Sequence, residues 1–159
     1  MQKIDWVKLV VFVLVCQMAG VIGGFFTASA IPAWYAGLSK PFFSPPNWVF
    51  GPVWITLYAL MGISAYLIWE KRGKNSKVWA AMDLFAGQLI LNTTWSILFF
   101  GFQSPLYGLV CIVFLWLAIA MTIASFYSID RRAAYLLVPY VLWVSFAAIL
   151  NFAIWGLNS

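Results

Sequence analysis

Five long apolar runs constrain the fold of this chain more than any other feature. A helix of about 20 apolar residues, at roughly 1.5 Å rise per residue, matches a bilayer hydrocarbon core of about 30 Å. A helix also satisfies its own backbone hydrogen bonds, as a lipid environment requires. We therefore predict an all-α integral membrane protein, a five-transmembrane-helix bundle that forms one domain over residues 1–159. The predicted spans are residues 9–26, 49–69, 78–102, 106–127 and 133–157.

The composition agrees with a lipid environment and excludes several classes of protein. Hydrophobic residues make up 65% of the chain and charged residues 8%, whereas a soluble domain is roughly half apolar and about a quarter charged. Histidine is absent, and Cys16 and Cys111 lie in apolar runs. We therefore expect no metal site, no required cofactor, no histidine-based catalysis and no disulfide framework. Although the net charge is +5, the basic residues lie between apolar runs, so no nucleic-acid partner is expected.

The basic residues predict the orientation in the membrane. Eight of the nine fall on the side of the N-terminus, and only Lys40 falls on the other. By the positive-inside rule, the N-terminus is cytoplasmic and the C-terminus lies outside. Asp83 is the single acidic residue within a span, near the basic end, and we expect it to pair with Lys77 or a neighbouring loop cation. Gly20 and Gly24 have the spacing of closely packed helices, either within the bundle or in a homodimer.

The longest connection between spans, residues 27–48, predicts a lid. Its four prolines restrict the backbone. Its aromatic side chains would be costly to leave in water, so the segment is expected to fold down onto the outer ends of the helices. The aromatic residues are Trp34, Tyr35, Phe42, Phe43 and Trp48.

Beneath this lid, three spans carry aromatic and polar residues at helical spacing. Counted from the outer span ends, their depths overlap in the outer half of the bilayer, which predicts a cavity for a flat, largely apolar ligand. The alternative is that the amides bond across helices and the aromatics fill the core. The residues are Trp54 and Tyr58 in the second span, Gln88, Asn92 and Trp95 in the third, and Trp143, Ala147 and Asn151 in the fifth.

Several motifs, taken in order, resemble one known family. The chain reads Trp-Tyr-x-x-Leu-x-Lys-Pro-x-x-x-Pro-Pro over residues 34–46, Gln-x-x-x-Asn-x-x-Trp over 88–95 and Val-Pro-Tyr-x-x-Trp over 138–143. With Trp54, Tyr58 and Asn151, this set resembles the tryptophan-rich sensory proteins, bacterial relatives of the mitochondrial translocator protein or peripheral benzodiazepine receptor. The likeness runs from Trp34 to Asn151.

The resemblance implies a five-helix bundle, often dimeric, in a bacterial cell membrane. It implies a pocket for porphyrins such as protoporphyrin IX, or for drug-like isoquinoline and benzodiazepine ligands, closed by the loop after the first helix. Carried over by position, Tyr35 and Pro45 belong to the lid. The implied pocket residues are Trp54, Asn92, Trp95, Trp143 and Ala147. The family's proposed sterol pattern is not met, because Phe152 stands where a tyrosine is expected and no basic residue follows.

Three hypotheses follow for the function. The first is a tetrapyrrole-binding sensor or transporter-like receptor that holds its ligand between the second, third and fifth spans, with Asn92 and Lys40 meeting polar edges or a propionate. The second is a light-dependent porphyrin-degrading enzyme in which Trp54 and Trp143 are the redox partners. The third is a membrane scaffold without a pocket, which predicts a tightly packed interior.

Overall fold

The computed structural model describes residues 4–159 and contains no β-strand in that range. A π-helical turn extends the first helix over Ile31–Tyr35 and another extends the third over Ile97–Gly101, while a 3-10 turn at Asn47–Val49 precedes the second. The α-helices are α1 (Trp6–Ala30), α2 (Phe50–Trp69), α3 (Val78–Ser96), α4 (Pro105–Tyr127), α5 (Arg131–Leu136) and α6 (Val138–Asn158).

Five helical stretches are long and apolar enough to cross a membrane. Each coincides with one of the apolar runs predicted from the sequence, although the third ends at Gly101 and not at residue 102. The prediction of an all-helical fold with five such stretches is confirmed. The stretches are Trp6–Tyr35, Asn47–Trp69, Val78–Gly101, Pro105–Tyr127 and Arg131–Asn158.

Local capping interactions explain where several helices begin. The side chain of Asp5 accepts a hydrogen bond from the Lys8 backbone at the start of α1, and Asp130 caps α5 in the same way through Arg132. Ser104 caps α4, where Pro105 occupies the first turn. A side-chain oxygen at such a position satisfies a backbone N–H group that has no partner within the helix.

The lid is shorter than predicted, because the first helix continues through much of the segment assigned to the loop. The predicted loop was 27–48, whereas the irregular segment covers 38–46. Pro32 lies in the first turn of the π-helical stretch, whose wider turn accommodates a residue that has no N–H group to donate. Proline therefore interrupts the regular α-helix here without ending the helical path.

Glycines set the closest approaches between helices. A Cβ atom at Gly62 would lie 2.5 Å from the Cα of Val13, so α1 and α2 meet nearly backbone to backbone. Gly20 makes room for the ring of Tyr58, and Gly23 makes room for the side chain of Ser96. The glycine-rich stretch of α1 therefore serves packing within the chain, and its use in a homodimer stays a prediction.

The N-terminal end of α1 and the two basic loops lie together at one end of the bundle. Lys71 pairs with Asp130 at 3.5 Å, which joins the α2–α3 loop to the α4–α5 turn. The backbone N–H of Asp5 donates to Tyr66 Oη at 2.9 Å, which attaches the start of α1 to the end of α2. The expected pairing of Asp83 is wrong: this carboxylate is exposed on α3 and forms no ion pair within residues 4–159.

Candidate ligand cavity

A cavity of about 440 Å³ lies between α1, α2 and the C-terminal part of α3. It occupies the half of the bundle opposite the basic loops, beyond the point where α1 and α2 meet at Gly62. Its volume falls within the range of about 300–1,000 Å³ that is typical of small-molecule sites. The cavity therefore has the size of a ligand site and not of a packing defect.

The inner wall and the rim of the cavity differ in exposure. Tyr35, Tyr58 and Trp95 line the buried side, with exposed fractions of 3%, 5% and 8%. Val21 and Ile55 line the opposite side and are more than half exposed. The cavity therefore opens sideways, between α1 and α2, toward the surroundings of the bundle.

The lining offers few polar groups, and none of the described residues that form it is charged. Gln17 also lines the cavity, and its Nε2 atom donates to the carbonyl of Ile55 at 2.9 Å, which joins α1 to α2. Ser96 adds a hydroxyl from α3. Such a lining suits a ligand with a flat apolar body and few hydrogen-bonding atoms.

Lys40 lies near one end of the cavity. Its Nζ atom is 4.8 Å from the ring centroid of Tyr35, a cavity residue, and 3.4 Å from the carbonyl oxygen of Ala36. A cation over an aromatic face and near the last carbonyls of a helix is held by electrostatic attraction. Lys40 therefore provides a positive charge next to an otherwise uncharged site.

Four of the residues predicted from the sequence line this cavity: Tyr35, Trp54, Tyr58 and Trp95. The rings of Trp54 and Tyr58 are 5.5 Å apart, one turn from each other on α2. Trp95 lies on the neighbouring helix, stacked on Phe99 at 5.5 Å. Residues from separate helices thus meet at one level, although the cavity is walled by α1, α2 and α3 and not by the second, third and fifth spans.

The predicted amides form hydrogen bonds between helices instead of lining the cavity. Tyr58 Oη donates to Asn92 Oδ1, and Asn92 Nδ2 donates to Tyr140 Oη at 2.9 Å. Tyr140 Oη in turn donates to Gln88 Oε1 at 2.9 Å. Asn151 accepts from Trp95 Nε1 at 3.2 Å. These bonds satisfy polar groups that would be costly to bury alone, which was the alternative open from the sequence.

Trp143 and Ala147 lie on α6, outside the cavity lining. Trp143 packs edge-on against Phe50 at 5.9 Å, and Phe50 is itself a cavity residue. The indole N–H of Trp143 is buried without a hydrogen-bond acceptor among the described residues. The ring of Phe50 therefore stands between Trp143 and the cavity. Pro45 is in the irregular loop and does not line the cavity either.

The wall contributed by α1 was not predicted as part of a ligand site. Its cavity face includes Gly20, Gly24 and Ala28, which recur at four-residue intervals, together with Thr27 and Ile31. A Cβ atom at Gly24 would have no neighbour within 4 Å. Small residues at helical spacing usually indicate close packing between helices. The same pattern leaves open space where no neighbouring helix packs against them.

The chain thus combines five helices able to cross a membrane with a largely apolar cavity between three of them, as a helical membrane protein with an internal ligand site would. The profile of the TspO/MBR family matches residues 12–156, and the chain belongs to this family of membrane proteins. The resemblance inferred from the sequence motifs is confirmed.

Individual relatives match along nearly the whole chain. The tryptophan-rich protein TspO of Archaeoglobus fulgidus is 50% identical over 153 residues, which cover 96% of this chain and 97% of the relative. The human translocator protein is 38% identical, over 96% of this chain and 91% of its own length. The tryptophan-rich sensory protein of Cereibacter sphaeroides is 33% identical, over 98% of this chain and 94% of its own length.

Proposed function

We propose that this protein is a membrane-embedded receptor, of the sensor or transporter-like kind, that binds a metal-free tetrapyrrole of the protoporphyrin type in the cavity between α1, α2 and α3. The observation that carries the proposal is the uncharged cavity with indole and phenol rings from two helices, Trp54, Tyr58 and Trp95, in its walls. Indole and phenol rings stack on flat macrocycles, and no histidine is present to ligate a metal.

The proposal includes a place in the bilayer. The five helices cross a bacterial cell membrane with the basic loops in the cytoplasm and Lys40 on the outer side, as the positive-inside rule requires. The cavity then lies in the outer half, and its sideways opening faces lipid. An apolar ligand would enter from the membrane, where such molecules partition, without crossing the loop over the helix ends.

The polar edges of the ligand determine its orientation. Among residues 4–159 no cation lines the cavity, so propionates buried there would lack a counter-charge. Lys40, over the ring of Tyr35, is the cation at its outer end. We place the propionate edge there, where a charge-assisted hydrogen bond is available, and the vinyl edge against the inner aromatic rings.

The other two hypotheses fit the geometry less well. Photochemical degradation by a pair of tryptophans needs both indoles against one ligand, whereas Trp54 lines the cavity and Trp143 lies behind Phe50. A scaffold without a pocket predicts a filled interior, whereas the space between α1, α2 and α3 holds about 440 Å³. Binding is therefore the function that the observations favour.

Titration of the purified protein with protoporphyrin IX, followed by quenching of tryptophan fluorescence, tests the proposal. We expect saturable quenching in the wild type. Gly24→Leu places a side chain into the cavity and should weaken binding by roughly tenfold or more, equivalent to about 1.4 kcal/mol. Gly156→Leu is the matched control, because a Cβ atom at either glycine meets nothing within 4 Å and Gly156 does not line the cavity.

Two outcomes would contradict the proposal. Equal binding by the wild type and Gly24→Leu would place the ligand elsewhere. If Trp143→Ala weakened binding while Gly24→Leu did not, the site would lie between α2 and α6, as the sequence pattern alone predicted.

A further inference from the structure

Arg131, at the start of α5, is a cation without an acidic partner. Asp130 precedes it in the chain, but the Oδ2 atom of Asp130 lies 3.5 Å from Lys71 Nζ and its Oδ1 atom accepts from the Arg132 backbone N–H at 3.0 Å. Both oxygens of this carboxylate are thereby engaged. Within the part of the chain that the structure describes, no acidic side chain lies within 4.0 Å of Arg131. The exposed Arg131 guanidinium is therefore available to an anion from outside the chain.

Two exposed tyrosines form one cluster with Arg131. The Arg131 Cζ atom lies 5.2 Å from the ring centroid of Tyr127, and the rings of Tyr127 and Tyr135 meet edge to face at 6.2 Å. A contact with a ring face does not use the N–H groups of the guanidinium, which are the groups that hold phosphate bidentately. Tyr127 and Tyr135 are 44% and 60% exposed, and tyrosine is enriched where a membrane meets water. Arg131 therefore lies at the level of phospholipid headgroups.

An exposed, largely apolar surface continues from this cluster along α4 and α6. Trp116 precedes Tyr127 by eleven residues and Leu142 follows Tyr135 by seven, which are about three and two helical turns, so each exposed side chain lies below its tyrosine. Trp116 Nε1 donates to Ser145 Oγ at 2.8 Å, which joins α4 to α6. The surface formed by these residues is here called the α4–α6 surface: Trp116, Tyr127, Arg131, Tyr135, Leu142 and Ser145.

The length of the α4–α6 surface fits one leaflet of a bilayer. Leu137, between α5 and α6, keeps right-handed helical backbone angles, so the two helices continue as one path. Arg131 and Ser145 are fourteen residues apart, or about 21 Å along a helix. Half of a hydrocarbon core is about 15 Å thick, and the polar layer above it adds about 5–7 Å. The surface therefore runs from the headgroups to the bilayer centre, as an acyl chain does.

We propose that the α4–α6 surface binds an anionic phospholipid from the leaflet on the side of the basic loops. Arg131 holds the lipid phosphate through charge-assisted hydrogen bonds, and an acyl chain lies along Leu142 and Trp116. Phosphatidylcholine presents the same phosphate together with a choline cation, which Arg131 repels, so a net negative headgroup is preferred. A soluble phosphate compound would leave the apolar part of the surface unused. The inference depends on helices that cross a membrane and not on the proposed porphyrin site.

Arg72 offers a matched control at the same end of the bundle. Its Cζ atom lies 4.8 Å from the ring centroid of Trp69, much as Arg131 lies over Tyr127. Unlike Arg131, it has an acidic partner, because its Nη1 atom is 3.7 Å from Glu70 Oε1. Substitution of either arginine removes one positive charge and one contact between a cation and a ring, but only Arg131 belongs to the α4–α6 surface.

Native mass spectrometry of the full-length protein tests this site. The protein is released from detergent after incubation with equal amounts of phosphatidylglycerol and phosphatidylcholine that carry the same acyl chains. We expect the wild type to retain phosphatidylglycerol roughly tenfold better, as a hydrogen bond between charged groups allows. Arg131→Gln should abolish this preference, and Arg72→Gln should keep it. An excess of glycerol phosphate, which has no acyl chain, should not displace the bound lipid.

Four results would overturn the inference. Equal retention of the two lipids by the wild type would exclude a charge-selective site. Equal losses in Arg131→Gln and Arg72→Gln would assign the preference to the overall charge of the basic loops. Displacement by glycerol phosphate would indicate a site for a soluble phosphate compound. A dimer that Arg131→Gln dissociates while lipid retention stays the same would assign the surface to a second copy of the chain.

Protoporphyrin titration of the same variants separates this inference from the proposed function. Arg131 does not line the cavity, so Arg131→Gln should quench like the wild type even where its lipid preference is lost. This result would also show that the variant folds. Absence of saturable quenching in the wild type would contradict the proposed function and leave the lipid measurement unaffected.

Discussion

Asn158, in the last turn of α6, holds both backbone polar groups of Ser39 in the loop after α1. The Ser39 N–H donates to Asn158 Oδ1 at 3.0 Å, and Asn158 Nδ2 donates to the Ser39 carbonyl at 2.9 Å. The two residues are 119 positions apart in the chain. The irregular loop at residues 38–46 is thereby attached to the C-terminal end of the last helix. The attachment lies close in sequence to Lys40 and Tyr35.

Removal of this attachment should loosen the loop. Asn158→Ala deletes the two hydrogen bonds to Ser39, each worth about 0.5–1.5 kcal/mol, together with one from Asn158 Nδ2 to the Ile154 carbonyl within α6. Hydrogen exchange of a peptide covering residues 38–46, measured by mass spectrometry, should therefore become roughly tenfold faster. Asn158→Asp keeps the acceptor for the Ser39 N–H, so its exchange rate should fall between those of the wild type and Asn158→Ala. Unchanged exchange in Asn158→Ala would show that the packing of Phe43 on Phe146 is enough to hold the loop.

Within the buried network of hydrogen-bonded hydroxyls and amides, a substitution at Tyr140 should lower the free energy of unfolding most. Tyr140→Phe leaves both Asn92 Nδ2 and Gln88 Oε1 without partners, whereas Tyr58→Phe leaves only Asn92 Oδ1. Each orphaned group costs about 1–3 kcal/mol, so Tyr140→Phe should reduce the free energy of unfolding by about twice as much. Denaturation in detergent measures this difference, with Tyr135→Phe, at a 60% exposed position, as the control. Equal losses for Tyr140→Phe and Tyr58→Phe would argue against the connected network.

The contact between α1 and α2 should not tolerate a side chain at Gly62. A methyl group there would lie 2.5 Å from the Val13 Cα, and backbone atoms can move only if the helices separate. We expect Gly62→Ala to lower the unfolding free energy by about 1–3 kcal/mol or more, the usual cost of overpacking. Gly87→Ala has open space and should be neutral or slightly stabilising, since alanine favours helix. A neutral Gly62→Ala would mean that α1 and α2 lie further apart than described.

Lys40 should distinguish porphyrins by charge. If it meets a propionate, Lys40→Met should weaken binding of protoporphyrin IX by about two- to fivefold, the range of a partly exposed ion pair. The dimethyl ester of protoporphyrin carries no charge, so its affinity should be the same for wild type and Lys40→Met. Parallel fluorescence titrations provide the measurement. An equal loss for acid and ester would assign Lys40 a purely structural role over Tyr35.

The start of α1 should depend on pH through Asp5. A hydrogen bond from the Lys8 side chain, and then one from the Lys8 backbone, lower the pKa of the Asp5 carboxyl below its ordinary value. Because the pKa is lower in the folded state, the stabilisation is present above the unfolded pKa of about 3.9 and is lost as the pH falls through the folded value. The difference in melting temperature between wild type and Asp5→Ala should therefore be constant near neutral pH and disappear in strong acid. A difference in melting temperature that persists in strong acid would contradict the stabilising role of the ionised Asp5 carboxylate.

Much of the fold could be predicted because lipid imposes simple rules on sequence. The five helical stretches follow from the length of the apolar runs, whereas the helices capped by Asp5, Ser104 and Asp130 begin one to three residues before the predicted spans. The path of the first helix past Pro32 could not be predicted, because a proline normally ends or kinks a helix, whereas here a π-helical turn carries the helical path on to Tyr35.

Helical spacing identified the side chains that face the interior, and Trp54, Tyr58 and Trp95 could be grouped on that basis. Spacing does not say which neighbour each interior group meets. Asn92 and Gln88 form hydrogen bonds with tyrosine hydroxyls on other helices. Gly20 and Gly24 line the cavity.

The sequence by itself determined that this chain is helical, that its helices are long enough to cross a membrane and which family it belongs to, because apolar length and ordered motifs are properties of the chain alone. Only the tertiary structure decided that open space lies beside α1 and that Phe50 separates Trp143 from it. The position of a cavity depends on how helices cross and separate, and this is set by contacts between residues far apart in the chain, such as Gly62 and Val13.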